Sequence, residues 1–385
     1  KSELPLVSLR VEEYNGMMFA SFNHDVEPLE QFLGPAKKWI DLFMKQGAGY
    51  PVKVLGEHRF TFPGNWKIQL ENTTDAYHFP LVHKSFLSSV DEKTGIPILS
   101  LYDGDTGKPS VKSMSLFDVL VFDLQDVGLR FYTYYATMVR MMDACAESQK
   151  KMIILDRPNP NGHYVDGPIL DMKYKSGVGW LPIPVVHGMT LGELAMMVNG
   201  EKWLPEGRIC DISVIKCKNY THQTMYQLPI PPSPNLPTMK AVYMYPSTCY
   251  FEATPVSLGR GTDKPFLVYG HPNMLSYSFS FTPRSIPGAK NPPQLNKICY
   301  GVDLSNLSDS DIWKKGVDLT YLIDAYTNLN MGDHFFRSFF EKLIGVSYVR
   351  KMIKEGCSAD EIKKKWSDDV EKFKKQRAPY LLYQE

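Results

Sequence analysis

The stretch FDVLVFDLQDVGLRFYTYYATMVRMMDACAESQKKMIILDRPNPNG, Phe117 to Gly162, constrains the fold most, because it spells a complete strand, helix, strand unit. Val119 to Leu124 is a short apolar run of the kind seen in a strand covered on both faces, and Met152 to Leu155 repeats it after a helix-length segment. The spacing predicts a parallel crossover. The first run exits through Asp123, Gln125, Asp126, Gly128, Arg130, Tyr132 and Tyr134, and the second through Asp156, Arg157, Asn159 and Asn161. In open α/β sheets ligands bind outside the carboxyl ends of the strands, so these tips form a candidate polar site. The plainer alternative pairs Asp156 with Arg157 on the surface and makes RPNPNG a turn.

Composition narrows the classes. With 385 residues, 43% hydrophobic and 22% charged, two or three ordinary globular domains are expected. A formal net charge of +1 gives no reason to expect nucleic acid or an anionic membrane surface as partner. No apolar run reaches the roughly 18 residues of a membrane span. The six cysteines, at 145, 210, 217, 249, 299 and 357, form no CxxC pair and no zinc spacing, so they read as scattered buried thiols. The chain opens KSELPLVSLR without an initiator Met or a signal-peptide core, as a mature fragment, a trimmed chain or a truncated gene would. Nothing in the residues sets an oligomeric state.

Before the crossover, RVEEYNGMMFASFN alternates as a hairpin around Asn15-Gly16, Pro28 to Gln46 has helical spacing, and Gly47 to Phe62 reads as strand. His78 and His83 then follow Glu71 and Asp75, a cluster that would suit non-haem iron if a further carboxylate completed a facial triad. The NWK and EN-x2-D-x-YH-x4-H motifs, with LEQFLGP before them, resemble the catalytic domain of Rieske-type aromatic-ring-hydroxylating oxygenases. That resemblance covers residues 9 to 90. It implies that His78 and His83 are iron ligands and that Asp75 relays electrons. The Rieske cysteines and the third iron ligand are absent, so any Fe(II) site would be incomplete and would hold the metal weakly.

Beyond Asp91 the motifs DEKTGIPILSLYDGDTGKP, LDRPNPNG, PIPVVHGMTLGELA, PPSPNLPT, YPSTCYFEATPVSLGRGTDKPF and KKQRAPYLLY resemble the exo-beta-N-acetylmuramidase (NamZ) family. The resemblance implies an N-terminally truncated Rossmann-like parallel-sheet domain over 91–235 and a smaller α+β domain over 236–385. An α+β oxygenase fragment over 1–90 precedes them, so the chain reads as a fusion. It also implies a cleft between the two later domains, removal of terminal N-acetylmuramic acid from a peptidoglycan-derived muropeptide, no cofactor for that reaction, and a periplasmic or secreted setting. The family's upstream GPEHG segment, whose Glu is the favoured catalytic acid, is missing.

The residues after the crossover fit this organisation. Trp180 to Val186 reads as a strand ending at His187-Gly188, Asp211 to Cys217 as another, and Pro229 to Thr238 as a stiff connector. Thr190 and Glu193 make a capping box, which gives Glu193 a structural role with catalysis as the alternative. Helices are expected over Asp318–Asn328 and Ser358–Gln376, the latter with a solvated lysine face. Candidate catalytic carboxylates are Glu252, Asp126 and Glu193, since glycoside cleavage usually needs two. Candidate sugar-binding residues are Arg130, Tyr132, Tyr134, Asn159, His187, Asn235, Arg260 and Thr262. Arg260, between glycines and near Glu252, suits the lactyl carboxylate of muramic acid, because a guanidinium fork matches carboxylate geometry. Asp126, Arg130, Tyr132, Asn159, His187, Glu252 and Arg260 are expected on one cleft, and the N-terminal segment is expected to leave sheet edges or apolar surface uncovered.

Overall fold

A computed structural model describes residues 9–38, 40, 41 and 107–385. His78, His83, Asp75 and the strand expected over 47–62 lie outside the described residues. The chain divides into two compact units, Lys1–Ile96 and Pro97–Glu385.

In the first unit, β1 (Arg10–Tyr14) and β2 (Met17–Ser21) form the expected antiparallel hairpin. Asn15 and Gly16 turn it with φ of 49° and 80°, values these two residues tolerate best. The helix α1 (Leu29–Leu33) follows and is tied back by Leu29 N–H donating to Glu12 at 2.9 Å.

The second unit begins with a short α2 (Val111–Met114) and then the predicted crossover. Strand β3 (Val119–Phe122), helix α3 (Tyr134–Glu147) and strand β4 (Lys151–Leu155) form it, and β5 (Ile212–Ile215) joins on the far side, so the parallel sheet runs β3-β4-β5. The α/β class is as expected, but the strands are not buried on both faces. Met152 and Ile154 point into the core at 0% and 1% exposure, whereas Val119, Val121, Leu155 and Ile215 stand 42%, 57%, 37% and 54% exposed. Among the described residues, strand β3 is also an edge of the sheet.

Trp180 to Val186 forms no strand. Pro182 and Pro184 remove its ladder donors, and only isolated bridges from Val186 to Leu129 and Asp166 remain. Helix α4 (Leu191–Gly200) carries the predicted capping box in full. After the turns of 229–238, α5 (Met239–Thr248) leads to an antiparallel sheet of β6 (Val268–His271), β7 (Phe279–Phe281) and β8 (Cys299–Asp303), in the order β6-β8-β7. Five helices close this part: α6 (Asp309–Lys315), α7 (Thr320–Leu329), α8 (Phe340–Ile344), α9 (Tyr348–Lys354) and α10 (Ala359–Arg377). Ser358 and Glu361 give α10 a second capping box, and its Ile362, Trp366, Val370 and Phe373 stripe is buried, leaving the lysines in solvent as read from the sequence. One apolar cluster runs from Phe122 and Met152 through Tyr250 and Phe251 to Trp366, so the parallel-sheet part and the helical part share a core.

Candidate active site

The strand exits fold inward. Asp126, at 6% exposure, accepts from Gly128 N–H at 2.8 Å and from Tyr135 N–H at 3.3 Å, so its carboxylate lies at the amino end of α3. Burial pushes its pKa up to about 7 against these lowering hydrogen bonds. Gly128, at φ +75°, must be glycine, since a Cβ there would sit 2.1 Å from Asn159 Oδ1. Asn159 donates to the Met189 carbonyl at 2.8 Å and accepts from Asn161 N–H at 2.8 Å.

Arg130 is wholly buried. Its guanidinium donates to the carbonyls of Pro168 (2.6 Å), Ile183 (3.0 Å), Leu343 (3.0 Å) and Ile344 (2.7 Å), which pins the first exit loop to α8. His187 is equally buried, accepts from Met189 N–H at 3.3 Å, and has its pKa lowered to about 3 by burial first and by Arg377 second. The expectation that Arg130, Asn159 and His187 face a sugar is therefore corrected: all three are buried, Arg130 among carbonyls, Asn159 between a carbonyl and a main-chain N–H, and His187 with its Nδ1 on Met189 N–H.

The second exit is covered by the chain's own carboxyl end. Asp156 accepts from Gly192 N–H at 2.9 Å, from Thr190 Oγ1 at 2.7 Å and from Tyr383 Oη at 2.6 Å, filling the amino end of α4 where an anionic ligand would otherwise sit. Burial raises its pKa. Neither reading of Asp156 holds as stated, because Arg157 pairs with Asp123 at 2.5 Å instead. Glu193, at 0% exposure, accepts from Thr190 N–H (2.8 Å), Leu382 N–H (2.8 Å) and Tyr383 N–H (3.3 Å), and His222 Nε2 lies at 3.0 Å. That set makes it a structural clamp and corrects its catalytic alternative. Nothing in the local sequence at 193 announces Tyr383 or His222 as partners.

Solvent-facing chemistry concentrates elsewhere. Glu252 Oε1 accepts from Arg260 Nε at 3.0 Å and also from Nη2, with the two side chains 26% and 30% exposed. Arg260 Nη1 has no partner among the described residues. The loop that carries Arg260 is built for its position: Gly259 and Gly261 have φ of +82° and +81°, and a Cβ on either would meet a carbonyl oxygen at 2.5 or 2.4 Å. Phe266, beneath the guanidinium at 5.1 Å, holds φ +62°, a strained value for a bulky residue. Thr262 only closes this turn, donating to Gly259 O at 2.7 Å and accepting from Lys264 N–H at 3.1 Å. Asn235 is 8% exposed and donates to Gly288 O at 2.8 Å.

A ladder of rings joins this loop to the first strand exit. Phe266 meets Tyr245 at 4.7 Å, Tyr245 meets Phe131 at 4.9 Å, and the next residue, Tyr132, packs edge-on against Tyr134 at 5.0 Å while donating to Pro232 O at 2.7 Å. Tyr132 and Tyr134 are both half-buried. Of the seven residues expected on one cleft, then, Tyr132, Glu252 and Arg260 keep solvent-facing surface, while Asp126, Arg130, Asn159 and His187 form the supporting layer. Among the described residues no group of three or more His, Cys, Asp or Glu is placed to hold a metal ion, and no helix is long and apolar enough to cross a membrane.

Two family models match consecutive parts of the chain: exo-beta-N-acetylmuramidase NamZ, N-terminal, over residues 82–240, and exo-beta-N-acetylmuramidase NamZ, C-terminal, over 243–383. A peptidoglycan beta-N-acetylmuramidase NamZ of Bacillus subtilis (strain 168) is 38% identical over 314 residues, 77% of this chain and 74% of that protein. The crystal structure of a DUF1343 family protein from Bacteroides fragilis NCTC 9343 is 67% identical, with a TM-score of 0.72, covering 80% of this chain and 92% of that one. The large oxygenase component of a salicylate 5-hydroxylase from Ralstonia sp is 46% identical over 81 residues, and the chain spans about a fifth of it, 19%.

Proposed function

We propose that this chain, which belongs to the exo-beta-N-acetylmuramidase NamZ family, is a peptidoglycan glycoside hydrolase that releases terminal N-acetylmuramic acid from glycan fragments. What carries the reading is the match of both family halves, in order, along one chain. In this reading residues 91–235 are the Rossmann-like part and 236–385 the smaller domain, working where peptidoglycan fragments occur, in the periplasm or outside the cell.

Recognition is assigned to Arg260. Glu252 fixes the guanidinium by Nε and Nη2, which leaves the Nη1 edge to take the lactyl carboxylate that separates muramic acid from glucosamine. Glu252 is the carboxylate assigned to proton transfer, because of the three candidates it alone keeps solvent-facing surface: Asp126 and Glu193 are 6% and 0% exposed. Without the family's upstream Glu, cleavage is expected to be slow. His78 and His83, which the oxygenase resemblance implies as iron ligands, lack by sequence the carboxylate that would be the third ligand of a facial triad, and no step of this reading passes through them.

The test is hydrolysis of an aryl β-N-acetylmuramide beside the matching aryl β-N-acetylglucosaminide. Glu252→Gln should lower kcat about a hundredfold or more, as loss of a group that transfers a proton does. Arg260→Met should raise KM for the muramide alone. Equal rates on both glycosides, or full activity in Glu252→Gln, would overturn this assignment.

A further inference from the structure

We infer that the cleft between the loop at Tyr164, the end of α6 and α10 is a second saccharide site, distinct from Arg260, which takes one pyranose ring bearing a carboxylate. In its ligand the inference rests on the proposed function, because muramic acid is the carboxylated pyranose which that reading supplies. The hollow holds about 300 Å³, at the lower end for ligand sites and room for a single ring. Its place in the fold follows from α5. On one side of that helix Tyr245 carries the stack of Phe266 and Arg260. Tyr243, two residues earlier and so about 200° away around the axis, packs edge-on against Trp313 at 5.2 Å. Trp313, which lines the cleft, therefore lies across α5 from the Arg260 loop.

The lining has both characters that an acidic sugar needs. Trp313 and Tyr164, each half-buried, supply aromatic surface for the C–H face of a pyranose. His163 steadies both rings, with its own ring 5.6 Å from Trp313 and 4.8 Å from Tyr164. The Tyr164 hydroxyl has no hydrogen-bond partner among the described residues and is left for a sugar hydroxyl.

Three lysines line the cleft against two carboxylates. Asp166 is answered by Lys363 at 2.6 Å and by Trp366 Nε1 at 2.9 Å, and Glu371 by Lys374 at 2.6 Å. Lys314, exposed on the last turn of α6, has no partner among the described residues and is the cation left over. Lys363 also donates to the Lys315 carbonyl at 2.6 Å, so it is held by two acceptors and keeps a third N–H for the ligand. Gly316, at φ +63°, lets the walls meet this closely, since a Cβ there would stand 2.3 Å from Asp166 Oδ2 and 3.2 Å from Lys363 Nζ. One uncompensated ammonium beside two aromatic rings selects a singly charged sugar acid over its neutral counterpart.

The full chain carrying Arg260→Met, which removes the first carboxylate site, is labelled with 5-fluorotryptophan and titrated with N-acetylmuramic acid, with N-acetylglucosamine as the uncharged control. The Trp313 fluorine resonance, assigned by its loss in Trp313→Phe, should shift saturably with the muramic acid and at least about fivefold less tightly with N-acetylglucosamine. Lys314→Glu should weaken muramic acid binding at least about tenfold and Tyr164→Phe about threefold, as loss of one charge-assisted and one neutral hydrogen bond does. The remaining tryptophan resonances report whether each variant is folded. An unmoved Trp313 resonance up to the solubility limit of the sugar would overturn the inference, as would equal affinity for both sugars or unchanged binding in either folded variant. The titration reads no hydrolysis, so a failed aryl muramide assay leaves it standing, and a failed titration leaves the hydrolase reading to its own assay.

Discussion

Arg130→Met separates a ligand-binding arginine from a structural one. The side chain is fully buried and ends in four hydrogen bonds of 2.6 to 3.0 Å to carbonyls on two sides of the shared core. Removing it leaves four buried acceptors, each costing about 1–3 kcal/mol when unsatisfied. Against that, the variant no longer desolvates a guanidinium, a penalty of several kcal/mol. The net expectation is a loss of about 3–5 kcal/mol, the usual cost of removing one side of a buried charged arrangement. With an m-value of about 3 kcal/mol per M for a unit of this size, the urea midpoint should fall by roughly 1–1.7 M. Tryptophan fluorescence reports it, since Trp180, Trp313 and Trp366 lie in the same unit. Arg130→Lys should recover only part of the loss, because a compact ammonium has three donors and cannot span four carbonyls. A midpoint within about 0.3 M of wild type, which is roughly 1 kcal/mol, would refute the structural account. An intact midpoint with a raised KM would return Arg130 to the sugar site.

Two buried groups impose opposite pH slopes on stability. Asp126, with its folded pKa raised from 3.8 to about 7, makes stability fall as pH rises between those values, whereas His187, lowered from 6.5 to about 3, makes it fall as pH drops through that window. In urea titrations from pH 4 to 6.5, His187→Gln should therefore expose a loss with rising pH and Asp126→Asn a loss with falling pH; the same slope in both variants would contradict this. For the uncovered sheet face, Val121→Lys with Ile215→Lys should change unfolding free energy by under about 0.5 kcal/mol and reduce aggregation and binding of an apolar dye. A loss above about 2 kcal/mol would mean that this face is covered in the folded protein.

Local pattern carried the elements whose cause is local. The hairpin at Asn15-Gly16, the capping boxes at Thr190 and Ser358 and the lysine face of α10 depend on neighbours close in sequence, and the crossover of β3, α3 and β4 is spelled by three consecutive segments, so the sequence alone determined them. The same is true of the glycine-flanked position of Arg260 and of its nearness to Glu252. Tertiary structure decided which polar residues keep access to solvent. Arg130 and Asn159 share their strand exits with Tyr132 and Arg157 respectively, and residue type cannot tell which of them another segment will cover. Glu193 is claimed by Leu382 and Tyr383, and Asp156 by Tyr383, through contacts spanning most of the second unit. A charge placed at a strand tip becomes a binding group or a buried brace according to what packs over it, and that depends on long-range closure of the chain.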